Sequence, residues 1–146
     1  LIDFVRRKRR IKQIDYEELL SGRGLQMIYE FLADDYDVPS RLPSEEISQT
    51  RKSNPCSRDA YKLFVRYYAR CCRNFALDVM STGGVYLSGG IAESNADAFK
   101  KGFFQEFIRH ERFGPLLKKI PVHVVINQQR LLGAAEYFKQ SLTYSV

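Results

Sequence analysis

The sequence predicts a helix-rich α/β fold: a βαβα unit with an incomplete parallel sheet, preceded by a long helix. Three observations carry that reading. Two short apolar runs, "GVYLSGG" and "PVHVVIN", have strand length and end at turn or polar residues. Each is followed by a segment with helical spacing, the arrangement that places consecutive strands side by side and parallel. A third segment, opening at Asn54-Pro55, keeps helical periodicity to about Met80. With 146 residues, the chain has room for one core.

Residues 1–32 read as helices interrupted at "SGRG". Ser21 suits an N-cap, because its hydroxyl can accept from a free N–H of the next turn. Leu25, Ile28, Tyr29 and Leu32 then recur at helical spacing. Residues 33–54 form a connection; its "DDYDVPSRLPSEE" stretch is polar and carries two prolines, with a short helix expected after Ser44.

The long helix spans 55–80. Asn54 serves as N-cap and Pro55 fits the first helical position, where no N–H partner is needed. Ala60, Leu63, Phe64, Tyr67, Tyr68, Cys71, Cys72, Phe75, Ala76 and Val79 share one face, and Lys62, Arg66, Arg70 and Arg73 another. Cys71 and Cys72 are therefore expected in the core rather than as reactive thiols.

Residues 83–146 make the βαβα unit. After the first strand, "SNADAFKKGFFQEFIRHERF" reads as a helix interrupted at Gly102 and starting near Ser94. The second strand is Pro121 to Asn127, and Arg130 to Leu142 closes as a helix. Two parallel strands leave both outer edges unpaired, so further strands are expected from a longer parent chain. The first residues, "LIDFVRRKRR", carry neither an initiator Met nor a signal core, which points to a cut within a longer protein.

Composition narrows the function classes. No apolar run reaches the ~20 residues of a membrane helix. Cys56, Cys71 and Cys72 make no disulfide framework, and with two isolated histidines they form no metal-ligand spacing, so a reducing cytoplasm and no metal site are expected. The net charge is +6. The run "RRKRRIK" is either a solvated helix face or a nucleic-acid patch; no aromatic interleaving or nucleic-acid module accompanies it, which weighs against nucleic acid.

Two motifs are candidates for binding. Gly89 and Gly90 lie at the carboxyl end of a strand and before a helix, where ligands of open α/β sheets sit. Lacking Cβ atoms, they let a ring or ribose approach the main chain, or else they only accommodate a tight turn. No GxGxxG or GxxxxGK[ST] pattern is present. In "DYEELLSGRGL", Glu17 and Glu18 precede the Ser21-Gly22 turn by four and three residues, and one of them could accept hydrogen bonds from ligand hydroxyls. Solvated helical glutamates are the plain alternative.

In order and spacing, "EELLSGRGL", the long helix, "GGVYLSGGI", "IPVHVVIN" and "LLGAAEYF" resemble the C-terminal portion of bacterial-type glucokinases, from about Ile14 to Phe138. These belong to the sugar-kinase, actin and heat-shock-chaperone superfamily of ATPases. The resemblance implies the C-terminal part of a ribonuclease-H-like, actin-like ATPase domain. It implies that Glu17, in the E-x-x-x-S-G pattern, contacts sugar hydroxyls, and that Gly89 and Gly90 lie against ATP, with Leu131 to Ala135 beside the nucleotide side of the sheet. Arg23 and Arg130 depart from the pattern, which often has proline and glycine there.

The family's D-x-G-G-T-N phosphate segment, its N-D catalytic-base segment and its G-G-H sugar segment are not in these 146 residues. The resemblance thus implies glucose, ATP and Mg²⁺ held with the nucleotide for the parent, and no catalytic residue in this part. The N-terminal part of the same chain is then an implied partner, and oligomeric state, a homo-oligomer included, stays open. A non-catalytic regulatory or interaction module on a sugar-kinase scaffold is the alternative.

Overall fold

The computed structural model describes residues 1–100 and 102–126, together with Gly133, Glu136 and Lys139. Helix α1 spans Ile2–Arg9 and α2 spans Gly22–Ala33. Helix α3 covers Ser44–Thr50 and α4 covers Pro55–Asp78. Strand β1, Val85–Leu87, is followed by four short helices: α5 (Gly90–Ser94), α6 (Ala96–Phe99), α7 (Gly102–Phe107) and α8 (Gly114–Leu117). Strand β2, Val122–Val124, then pairs with β1 in parallel, with Tyr86 opposite His123.

Helix α4 is the axis of the molecule. Its start is built as the sequence predicts: Asn54 Oδ1 accepts from the Ser57 N–H at 3.1 Å, and Pro55 occupies the first turn. Such a cap contributes about 1 kcal/mol. Helices α2, α3, α6 and α7 all pack on α4. Leu25, Ile28 and Tyr29 of α2, Ile47 of α3, Phe64 of α4 and Phe103 and Phe107 of α7 are all at least 98 % buried. Tyr68 bridges the layers, its ring edge-on to Phe99 at 5.6 Å and tilted against Phe103 at 6.2 Å. Pairs of this kind contribute about 0.5–1.5 kcal/mol beyond their buried area.

Four expectations need correction. Residues 10–15 are not helical, and Tyr16–Glu18 form a single 3-10 turn, so Glu17 does not sit on a regular helix. Arg10 adopts a left-handed conformation that ends α1 and lets the chain turn back. At the far end of α4, Phe75 and Val79 are exposed by 58 % and 71 %. Periodicity marks an apolar face but not what covers it; the Tyr16 ring lies tilted against Phe75 at 6.2 Å. The buried face of α4 instead includes Tyr61, Val65 and Ala69. The helix expected from Ser94 to Phe113 is broken at Asn95 as well as near Gly102, and it ends at Phe107; the helical chain starts earlier, directly at Gly90.

Other expectations stand. Helix α3 begins at Ser44, and Ser21 Oγ accepts from the Gly24 N–H at 3.1 Å. Cys71 is buried, and burial, reinforced by neighbouring Cys71, pushes the Cys72 thiol up to about 12, which leaves little thiolate. The closing helix expected over 130–142, including Arg130 and Leu131 to Ala135, lies outside the described residues except for Gly133, Glu136 and Lys139, which are helical. No helix among the described residues is long and apolar enough to cross a membrane.

Candidate functional site

The sharpest local feature is the junction between β1 and α5. Gly89 has φ +119°, a conformation that residues with a Cβ rarely adopt, so the turn itself requires glycine there. Its N–H donates to Glu93 Oε1 at 3.2 Å, which ties the turn to the following helix. Gly90 is different. A Cβ added to it would meet no described atom within 4 Å, so the packing of this chain does not demand a glycine.

What Gly90 faces is a groove of about 550 Å³, lined also by Gly22, Ser44, Ser48, Arg51 and Asn95. Three helices begin on it: α2 at Gly22, α3 at Ser44 and α5 at Gly90. First-turn N–H groups lack intrahelical acceptors, so each start presents donors and partial positive charge. Gly22 lets the walls close in, because a Cβ there would stand only 3.2 Å from the Ser44 hydroxyl. Asn95 is 4 % exposed, and its Nδ2 donates to the Ile91 carbonyl at 3.0 Å, which holds the end of α5 against the groove. Narrow walls, hydroxyls and backbone donors suit a flat, oxygen-rich ligand.

Glu17 lies beside this groove in sequence but is not among its lining residues. It is exposed, and among the described residues it has no hydrogen-bond or ion-pair partner. Both neighbours are tied. Tyr16 Oη accepts from Asn74 Nδ2 at 2.8 Å, and Arg9 Nε donates to Glu18 Oε2 at 3.0 Å. The turn is locked to α2 through Gly24, where a Cβ would fall 2.3 Å from the backbone of Leu19. Flanks fixed on α1, α2 and α4 thus present one unengaged carboxylate.

A model of the glucokinase family matches residues 1–141. The chain belongs to the glucokinase family. Among similar proteins, the glucokinase of Psychromonas ingrahamii is 39 % identical over 134 residues, 88 % of this chain and 42 % of that protein. The glucokinase of Photorhabdus laumondii is 33 % identical over 141 residues, covering 93 % of this chain and 44 % of its own length. The chain therefore spans a little under half the length of the glucokinases it matches.

Solved glucokinase structures share the fold. One from an Antarctic psychrotroph superposes with a TM-score of 0.78 at 19 % identity, over 92 % of this chain and 42 % of that one. Another, from Balamuthia mandrillaris in complex with glucose, gives 0.76 at 20 % identity, over 86 % and 36 %. The helix-rich body with its parallel strand pair thus has the fold of part of a glucokinase.

Sequence reading pointed to Gly89, Gly90 and Glu17 but missed Ser44, Ser48, Arg51 and Asn95. Those four, from two segments about 45 residues apart in the chain, come together only in the folded groove. Of them, only Asn95 carried a local signal, at the end of the glycine-rich stretch.

Proposed function

We propose that this chain is the C-terminal part of the large domain of an ATP-dependent glucokinase, with the ribonuclease-H-like architecture of actin-like ATPases. The parent protein phosphorylates glucose to glucose 6-phosphate in the cytoplasm. The observation that carries the reading is the convergence of Gly22 and Gly90 on one groove. The turn after the sugar-contacting glutamate and the turn at the strand end thereby share a wall, as a kinase requires of neighbouring acceptor and donor sites.

In this assignment the nucleotide's adenosine lies against Gly89 and Gly90, with the Ser44 and Ser48 hydroxyls nearby. The open space in front of Gly90 supports the fit, because a side chain would project into the groove. When bound, ATP would supply the phosphoryl group, with Mg²⁺ held by its phosphates. Glu17 accepts hydrogen bonds from glucose hydroxyls and so orients the sugar. Phosphoryl transfer needs a base to take the hydroxyl proton, and the family's N-D segment would supply it from the N-terminal part of the parent.

Gly90→Val in the full-length protein tests the assignment. The side chain enters the groove without disturbing the turn, so the nucleotide KM should rise about tenfold or more while the glucose KM stays near wild type. An unchanged nucleotide KM would leave the glycines with a purely conformational role.

A further inference from the structure

A second groove, of about 680 Å³, runs between α4, α6 and the end of α7. Arg58, Lys62 and Arg66 recur every fourth residue along α4 and line it, and Arg109 and Arg51 complete the rim. In the sequence Lys62 and Arg66 fall on the basic face of the long helix, and the fold turns that part of the face toward a concavity. The acids around them are few. Arg51 and Lys52 share Asp97, Arg58 and Lys62 share Asp59, and Arg66, Arg70 and Arg109 share Glu106. Cations outnumber carboxylates in every one of these groups, so the groove keeps unneutralised positive charge.

Its lining also includes Tyr61, which is 2 % exposed. The Tyr61 hydroxyl is buried and has no hydrogen-bond partner among the described residues. A buried phenol without an acceptor is unfavourable, and an anionic oxygen would remove that deficit. The Arg51 guanidinium lies over the Tyr61 ring, 5.4 Å from its centre, and is itself tied to Asp97 at 2.7 Å. The volume exceeds what a single phosphate fills and falls in the range of small-metabolite sites. A deep donor beneath a basic rim fits a compact ligand better than an extended acidic surface, which would reach only the rim.

We propose that this groove binds a small, multiply charged phosphate anion, with Lys62 and Arg66 neutralising it and the Tyr61 hydroxyl donating to it. The groove shares Arg51 with the Gly22–Gly90 groove, but Tyr61, Lys62 and Arg66, on which the proposal rests, do not line that one.

Titration calorimetry with inorganic tripolyphosphate on the full-length protein tests it. Four forms are compared: wild type, Tyr61→Phe, the Lys62→Gln/Arg66→Gln pair, and Gly90→Val. Tyr61→Phe is isosteric, and Lys62 and Arg66 are exposed, so the fold should persist; circular dichroism checks that. The double variant and Tyr61→Phe should each raise the Kd about tenfold or more, and Gly90→Val should leave it unchanged. Loss of binding in Gly90→Val, with the other variants unaffected, would move the anion to the first groove and overturn the proposal. Loss in the double variant but not in Tyr61→Phe would reduce the groove to a diffuse basic surface and overturn it too. So would no detectable heat at millimolar tripolyphosphate.

Discussion

Among single residues, Glu17 and Glu18 show how folding sorts two adjacent, chemically identical side chains. The 3-10 turn sets them roughly 120° apart, and Arg9 engages Glu18 while Glu17 stays unengaged. A carboxylate accepting charge-assisted hydrogen bonds from sugar hydroxyls gains roughly 1.5–3 kcal/mol from each. Glu17→Gln in the full-length protein should therefore weaken glucose binding by about one to two orders of magnitude and leave ATP binding nearly unchanged. Glu18→Gln should be close to silent for glucose, because its partner is Arg9, an exposed pair of small energetic weight. Calorimetry with glucose decides between them; loss in Glu18→Gln alone would mean that the motif is read one residue out of register. The choice of Glu17 came from a motif, whereas the reason Glu18 is occupied lies in α1, which no local pattern reveals.

At the level of elements, the docking of α7 on α4 depends on Glu106. Its side chain is 8 % exposed, and Arg70 Nε donates to its Oε1 at 2.6 Å. Arg73 adds hydrogen bonds from Nη1 to the Glu106 and Arg109 carbonyls, at 3.4 and 2.8 Å. Burial is the largest single influence and pushes Glu106 up, but Arg70, Arg66 and Arg109 together outweigh it and hold the carboxyl below its ordinary value. A depressed folded-state pKa contributes stability that is complete above the unfolded value, near 4.3, and is lost as pH falls through the lower folded one. Glu106→Gln should cost about 2 kcal/mol at neutral pH and flatten the acid limb of stability below about pH 4. Urea melts at several pH values check both; an unchanged acid limb would remove Glu106 as its source. The elements themselves were largely legible. Asn54-Pro55 announced α4, Ser21 announced α2, and the two apolar runs gave β1 and β2. The four-way division between the strands was not: the break near Gly102 was read, but Asn95 carries no glycine or proline signal and is buried only by the fold around it. The groove walls were hidden for the same reason: Ser44, Arg51 and Asn95 become neighbours only in three dimensions.

On the scale of the whole molecule, the sheet is the weak point. Each strand contributes three residues, and neither outer edge is paired among the described residues. Tyr86, 65 % exposed, stacks on His123 with ring centres 5.0 Å apart on the open face. Unpaired edges beside exposed apolar groups recruit other strands. The N-terminal third does not share this weakness: Val5 is fully buried, and Lys8 pairs with Glu30 at 2.5 Å. These 146 residues expressed alone should therefore self-associate through the sheet while α1 stays protected from amide exchange; light scattering showing a compact monomer would contradict this. A different consequence follows from Arg51, which lines both grooves and donates to the Ser48 carbonyl and to Asp97 at 2.7 Å. A side chain shared by two grooves gives their ligands a route to influence one another. If an anion in one groove shifts that guanidinium, whatever factor it imposes on the other groove's ligand is returned to it unchanged, so that either compound reports on the presence of its neighbour.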